Sequence, residues 1–374
     1  MEKISVCIIT KNEEIKIEKC LKALNSFGFG PGQDAGEIIV ADTGSDDSTI
    51  TVARKYADIV TSYKWNDDFA AAKNHAISLA NNRYVLIIDS DEYMTACSFD
   101  SISSFINEQK SEQKNALEAR HEYAIGRIKR KNYICPNGIS GIQYDYTERL
   151  FDKELFGFEG CIHEQVVPKN KSIKSFSYRT IDISIDHDGY NLSDEELKSK
   201  SDRNCRLLES ALKKEPDNPY IYFQLGQSYL LCKSFDKALS YFSKALEYDL
   251  DPSAEYVQMA VTGYGECLLA LEMNTDALSL ADIYEEMSPY ADYVFLMGQI
   301  YMANNMILQA YKEFLKCLSM SDARSEGVTS YYALHNIGVL NEMAGNKKAA
   351  LPFYEKAAAL GYQRSIDRLR ELTD

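Results

Sequence analysis

Apolar residues run unbroken through Tyr84-Val85-Leu86-Ile87-Ile88 and then stop at Asp89-Ser90-Asp91-Glu92. Such a run, bounded by polar residues, predicts a strand buried on both faces, as in parallel sheets. Glu37-Ile38-Ile39-Val40-Ala41 ends the same way at Asp42-Thr43-Gly44-Ser45-Asp46-Asp47-Ser48-Thr49, which leads into a helix. The chain opens on an alternating strand, Ile4-Ser5-Val6-Cys7-Ile8-Ile9, ending at Thr10-Lys11-Asn12-Glu13-Glu14. Each of these strands delivers polar residues at its carboxyl end, and a parallel sheet would gather them into one crevice. Between the second and third, Asp67 and Asp68 suit the N-terminus of a helix through Phe69-Ala70-Ala71-Ala72-Lys73-Asn74-His75-Ala76.

Near residue 195 the pattern changes to helical periodicity rich in Ala, Leu and Tyr, and a repeat emerges. Its first unit carries Gly226, Ala238, Phe242 and Ala245. The same offsets return at Gly265, Ala277, Ala281 and Tyr284, at Gly298, Ala310, Phe314 and Cys317, and at Gly338, Ala350, Tyr354 and Ala357. This pattern resembles the tetratricopeptide repeat, in which small residues let two antiparallel helices approach and an aromatic fills the gap between them. Two of the junctions exceed the ~34-residue period and imply longer loops or helices. Upstream, Leu208, Ala211 and Pro216 sit where a second helix would, without its first. The expected organisation is therefore an α/β domain over 1–195, a helical connector over 196–217 and an all-α solenoid over 218–374.

Composition narrows the class. The 374 residues suffice for two cores. No apolar stretch approaches the ~20 residues that cross a bilayer, and the N-terminus alternates where a signal peptide would be continuously apolar. Nine cysteines without a CxxC pair suggest reduced thiols, so a cytoplasmic protein is expected. A formal charge of −15 argues against nucleic acid or anionic membrane as a partner. The basic run Arg127-Ile128-Lys129-Arg130-Lys131 is read as a solvated strand or loop edge.

Two acids spaced i and i+2, as Asp89 and Asp91 are, can reach one hard divalent cation and the sugar or phosphate beside it. The same Asp-Ser-Asp is also ordinary chemistry for a solvated turn. A second polar region follows: Glu148-Arg149-Leu150-Phe151, Glu159-Gly160-Cys161-Ile162-His163-Glu164 and Asp186-His187-Asp188-Gly189-Tyr190-Asn191. Two of the five histidines stand here beside acids. A carboxylate or imidazole there would suit proton abstraction from an attacking group.

Thr10-Lys11-Asn12-Glu13, Asp42 through Thr49, Lys73-Asn74 and Asp89-Ser90-Asp91 resemble the ordered motifs of family 2 glycosyltransferases. That resemblance implies a GT-A (Rossmann-like) nucleotide-sugar domain, a divalent metal (Mg²⁺ or Mn²⁺) and usually inversion at the anomeric carbon. The family often has Arg where Lys73 stands, which exchanges a planar contact for a point charge. Lys64-Trp65-Asn66-Asp67-Asp68-Phe69, Arg149-Leu150-Phe151, Ile162-His163-Glu164 and the run from His187 to Asn191 are also similar to the sublancin-type peptide S-glycosyltransferases. Those enzymes modify cysteine, and in relatives serine, of bacteriocin precursors called glycocins.

By position, the resemblance implies that Thr10, Asn12, Glu13, Asp42, Lys73, Asp89 and Ser90 bind the donor. Asp42 would accept the uracil N3–H, which favours a UDP-sugar, UDP-glucose first. Asp91 and His187 would hold the metal. Glu164 would be the base, with His163 as its partner or its alternative. Ser45, Asp46, Asp47 and Ser48 are expected to cap a helix. Arg149 would reach a phosphate or be buried against Glu148 or Glu159. The implied reaction moves a hexose to a Cys, Ser or Thr side chain of a peptide or protein docked on the repeats, in a homodimer. The alternative is transfer to a cell-surface glycan or lipid-linked sugar, with the repeats recruiting the enzyme to an assembly.

Overall fold

A computed structural model describes residues 2–114, 123–134, 141–188 and 194–373. The chain divides into two compact units, Met1–Leu192 and Ser193–Asp374. In the first, the elements are β1 (Ile4–Thr10), α1 (Glu14–Ser26), β2 (Gly36–Asp42), α2 (Thr49–Ala53), β3 (Ile59–Ser62), α3 (Phe69–Ser78) and β4 (Tyr84–Ile87). There follow β5 (Glu92–Cys97), α4 (Phe99–Lys114), β6 (Tyr123–Ile134), β7 (Gly141–Asp152), β8 (Phe156–Glu159), β9 (Gln165–Pro168) and β10 (Phe176–His187).

Eight strands form one sheet in the order β3-β2-β1-β4-β7-β6-β10-β5, and β8 and β9 pair separately. β1 lies parallel to β2 and to β4, and β2 parallel to β3. The strand order therefore reverses between β1 and β4, and it is outside the carboxyl ends at such a point that open α/β sheets bind ligands. β7 runs antiparallel to β4, and β10 returns parallel to β6. Strand alternation distributes the core over two faces. Val6, Ile8, Ile38, Val40 and Leu86 pack with Ile17, Leu21 and Leu24 of α1 and Phe105 of α4. Cys7, Ile39, Val85 and Ile87 pack with Ala70, Ala76 and Ile77 of α3 and with Phe156 and Phe158 of β8.

Two expectations change here. β3 is not among the strands the patterning predicts, because its four residues are only half-buried or exposed. The basic run of residues 127–131 is no edge: β6 lies between β7 and β10, and Arg127 and Arg130 pair with Glu148 and Asp145 of β7. At the start of β2 only glycine fits. Gly36 has φ +153°, and a Cβ there would stand 1.8 Å from the Ile4 carbonyl oxygen.

The second unit is helical: α5 (Asp194–Lys214), α6 (Pro219–Leu231), α7 (Phe235–Leu246), α8 (Glu255–Ala270), α9 (Asn274–Ala277) and α10 (Tyr284–Met287) are followed by five more. These are α11 (Ala291–Ala303), α12 (Ile307–Ser319), α13 (Tyr331–Met343), α14 (Lys347–Ala359) and α15 (Gln363–Thr373). The segment expected as a connector is helix α5, whose Ser201 hydroxyl donates to the Ser228 carbonyl of α6 at 2.7 Å. The glycine–aromatic pairing holds at three repeats. A Cβ on Gly226, Gly298 or Gly338 would come within 2.6 Å of Phe242, Phe314 or Tyr354. Phe242 also presses on Gly263, so one ring fills the gap on both neighbouring helices.

The second repeat departs from the expectation. Its returning arm breaks into α9, a 3₁₀ segment (Leu278–Ile283) and α10. Ala281 stands at the offset of Phe242, and Gly265 faces Leu280 and Leu296. Among the described residues no helix is long and apolar enough to cross a membrane.

Candidate active site

The loops after β1 and β2 are laced together. In the sheet Thr10 stands beside Asp42, and the Thr10 carbonyl accepts from Thr43 N at 2.9 Å. The Asp42 carboxylate is turned back on its own loop, accepting from Gly44 N at 2.9 Å, Ser45 N at 3.0 Å and the Ser45 hydroxyl. Asn12, with φ +52°, donates its N–H to Ser45 Oγ at 2.8 Å and accepts from Asp46 N at 2.9 Å. Of the four residues expected to cap α2, only Asp47 does so, by accepting from Thr49 N at 2.9 Å. Ser45 instead serves the loop. Among the described residues the buried Thr10 Oγ1 has no hydrogen-bond partner, so a polar ligand atom in the crevice would satisfy it.

At the end of β4, Asp89 is clamped between two buried cations. Lys73 Nζ lies 2.9 Å from one carboxylate oxygen and Arg149 Nη2 2.8 Å from the other. Burial pushes the Asp89 carboxyl up, but Arg149 and Lys73 outweigh it and hold it well below the usual carboxylate range. Arg149 thus pairs with neither Glu148 nor Glu159. Its other partner is Glu92, fully buried at 2.7 Å, which also takes Arg130 at 3.2 Å and the Asp89 N–H at 2.9 Å.

Ser90 donates its hydroxyl to Glu13, which joins the β1 and β4 loops. Burial pushes the Glu13 carboxyl up from its ordinary value, against the Ser90 hydrogen bond.

Asp91 meets the far end of β10. His187 Nε2 lies 3.6 Å from an Asp91 oxygen, and the Asp91 carbonyl accepts from Asp188 N at 3.2 Å. On its other side His187 Nδ1 is 2.7 Å from Asn132 Oδ1. A carbonyl oxygen only accepts, so Nδ1 carries a proton toward Asn132, and Nε2 is the nitrogen turned toward Asp91. A ring whose Nδ1 is held from behind by an amide would present Nε2 to a metal. A carboxylate beside an imidazole would suit Mn²⁺ better than Mg²⁺, which prefers an all-oxygen shell. No group of three or more such side chains stands together among the described residues. A cation held by Asp91 and His187 would thus take its remaining ligands from water and a donor's phosphates. Gly189, Tyr190 and Asn191, which complete the late run, lie outside the described residues.

Across from Asp89, Lys73 reaches Glu164 at 2.7 Å. The segment carrying Glu164 is bound to α3 along its length. Asn74 accepts from Phe158 N at 3.0 Å and donates to Phe158 O at 2.9 Å, and Phe69 N donates to Cys161 O at 2.9 Å. Gly160 and His163 take φ of +101° and +50°, which turns the chain between β8 and β9. α3 itself is capped by Asp68, which accepts from Ala71 N at 2.8 Å; Asp67 takes the Trp65 indole N–H instead.

The two regions that the sequence leaves apart therefore meet in one cleft, with Lys73 between them. Glu92 and Asn132 belong to this cleft without having been expected there. Glu92 closes the acidic run after β4 but is buried against Arg149 and Arg130, Asn132 sits inside β6 with nothing local to mark it, and the position of Arg149 depends on β7 pairing with β4.

Residues 5–154 match the glycosyl transferase family 2 profile, and residues 219–252 a tetratricopeptide repeat. The first unit thus carries a glycosyl transferase family 2 domain, and a tetratricopeptide repeat follows in the second. It is 29% identical over 248 residues to the SPbeta prophage-derived glycosyltransferase SunS of Bacillus subtilis (strain 168), covering 65% of this chain and 53% of that one. A TPR repeat-containing protein of Synechococcus elongatus is 24% identical over 235 residues, 60% of this chain and 52% of the other. An uncharacterized glycosyltransferase of Rickettsia conorii, RC0292, is 34% identical over 170 residues, 44% of this chain and 55% of the other. The chain spans about half the length of the curated relatives it matches.

Proposed function

We propose that this glycosyltransferase moves a hexose from a UDP-sugar, UDP-glucose first, to a Cys, Ser or Thr side chain of a peptide, with inversion. One observation carries the reading: the strand ends at the reversal between β1 and β4 bring Asp91 to His187 and, through Lys73, Asp89 to Glu164. In the reaction, the acceptor's sulfur or oxygen forms a bond to the anomeric carbon on the face opposite the diphosphate. Its proton passes to a Glu164 carboxylate oxygen. The anomeric C–O bond breaks, and UDP leaves with the electron pair. A cation on Asp91 and His187 would supply positive charge for that leaving group. Thr10, Glu13 and Asp42 line the end of the cleft where the nucleoside would sit. The peptide acceptor is supported by the likeness to sublancin-type enzymes and by the repeats, whose stacked helices suit extended chains.

Calorimetric titration with Mn²⁺ present should give tighter binding of UDP than of GDP or TDP, and Asp91→Asn should weaken it. Glu164→Gln should leave binding intact and slow UDP release by ~10²–10⁴-fold. Tighter binding of GDP or TDP would overturn the donor assignment. Near-normal release by the Glu164 variant would move the base elsewhere, His163 being next.

A further inference from the structure

Lys73 belongs, by its motif, among the residues expected to touch the nucleotide. Its surroundings point elsewhere. The side chain is 7% exposed, and its ammonium is engaged by Asp89 at 2.9 Å and Glu164 at 2.7 Å, with the Phe158 ring 5.4 Å beneath it. Burial disfavours its charge, yet the two carboxylates overcome that and raise its pKa, so it stays an ammonium. Two of the ammonium's three donors are thereby taken, and a phosphate reaching Lys73 would have to share it with both carboxylates, against their negative charge.

Glu164, in turn, has little else to aim it. It follows the left-handed His163 and directly precedes β9, and its side chain is 12% exposed. The neighbouring backbone is tied to α3 through Asn74 and Phe69, the same helix that supplies Lys73. One rigid helix therefore sets both the path of the segment and the direction of its carboxylate.

We propose that Lys73 is a positioning residue that acts through Glu164, holding the base toward the acceptor and fixing its distance from the Asp89 motif, and makes no contact with the nucleotide. This rests on Glu164 being the base. Because Asp89 is held by Arg149 as well, loss of Lys73 leaves the donor side with a cation while Glu164 loses its partner.

The test uses the full chain, Mn²⁺ and UDP-glucose, with water as the acceptor in the hydrolysis assay. Lys73→Met should leave the Kd for UDP-glucose within about threefold and slow UDP release at saturation by ~10²-fold. Lys73→Arg, which keeps the charge, should recover part of that loss. The Lys73→Met/Glu164→Gln double variant should be no slower than Glu164→Gln alone, because the lysine acts only through the glutamate. A Kd weakened tenfold or more with release at saturation unchanged would make Lys73 a nucleotide contact and overturn the proposal, as would losses that multiply in the double variant. Should Lys73→Met fail to fold, Lys73→Arg decides alone: slower release at unchanged Kd supports positioning, and weaker binding at an unchanged rate refutes it. Unaltered release by Glu164→Gln would fail the reading of the base itself, and the proposal with it.

Discussion

His335 lies on α13 with its Nδ1 2.9 Å from the Ser365 hydroxyl of α15. Burial, and then Arg364 and Arg368 against the opposing Glu342, push its pKa down to about 4. The folded protein thus keeps His335 neutral where the unfolded chain would protonate it near the ordinary ~6.5. Its contribution to stability is present above ~6.5 and is lost as pH falls toward 4, because the unfolded state binds the extra proton. The full shift is worth no more than ~3 kcal/mol, and partial exposure reduces it. Thermal melts followed at 222 nm between pH 7 and pH 4 should show His335→Gln losing less stability on acidification than the parent; equal slopes would refute this. At the cleft, residue-level legibility was uneven. Asp89, Asp91 and Glu164 stand in polar runs at strand ends, where chemistry is exposed to view in the sequence. Asn132 is an ordinary polar letter within a strand, and the roles of Asn132, Arg149 and Glu92 come from partners 38 to 60 positions away.

At the scale of elements, periodicity was a good guide wherever one rule acted alone. β1, β2 and β4 ended within a residue or two of their expected limits because an apolar run stops where burial stops. The helix over Phe69–Ser78 took its cap from Asp68 only, since Asp67 is drawn into a left-handed turn with Trp65. The repeats show the same logic and its limit. Gly298 lets α11 close on the Phe314 ring of α12, and a Cβ there would lie 2.6 Å from that fully buried ring. Alanine's helix preference returns about 1 kcal/mol, while overpacking a closed core costs ~1–3 kcal/mol. Gly298→Ala should therefore destabilise on balance, and adding Phe314→Leu to the Gly298→Ala variant should relieve part of the loss. Guanidinium unfolding of the single and double variants checks it; a more stable Gly298→Ala would show the ring free to move. The second repeat kept its glycine but not an aromatic contact: Ala281 stands at the offset of Phe242, and the returning arm includes a 3₁₀ segment whose Leu280 packs on Gly265 instead.

For the whole molecule, the proposed function assigns donor and acceptor binding to different units. Thr10, Asp42, Asp91 and Glu164 all lie in the first, and the repeats in the second. A chain cut before Asp217 should keep UDP-glucose binding and lose sugar transfer to a peptide acceptor. The cut uncovers Leu207 and Leu208 of α5, so folding must be checked first by circular dichroism. Calorimetry and peptide mass shifts read the outcome, and a folded truncation that still modifies its peptide at full rate would remove the docking role. The sequence by itself determined the class of each half, the strands that end in acids, and the glycine and aromatic positions of the repeats. These are consequences of short-range pattern: which residues are buried along a strand or a helix face. The family resemblance already put Asp91 with His187; only the tertiary structure decided that Lys73 bridges Asp89 and Glu164 and that Arg149 pairs with Asp89 and Glu92. Those meetings depend on sheet order and on which strands run antiparallel, and neither leaves a local mark on the residues concerned.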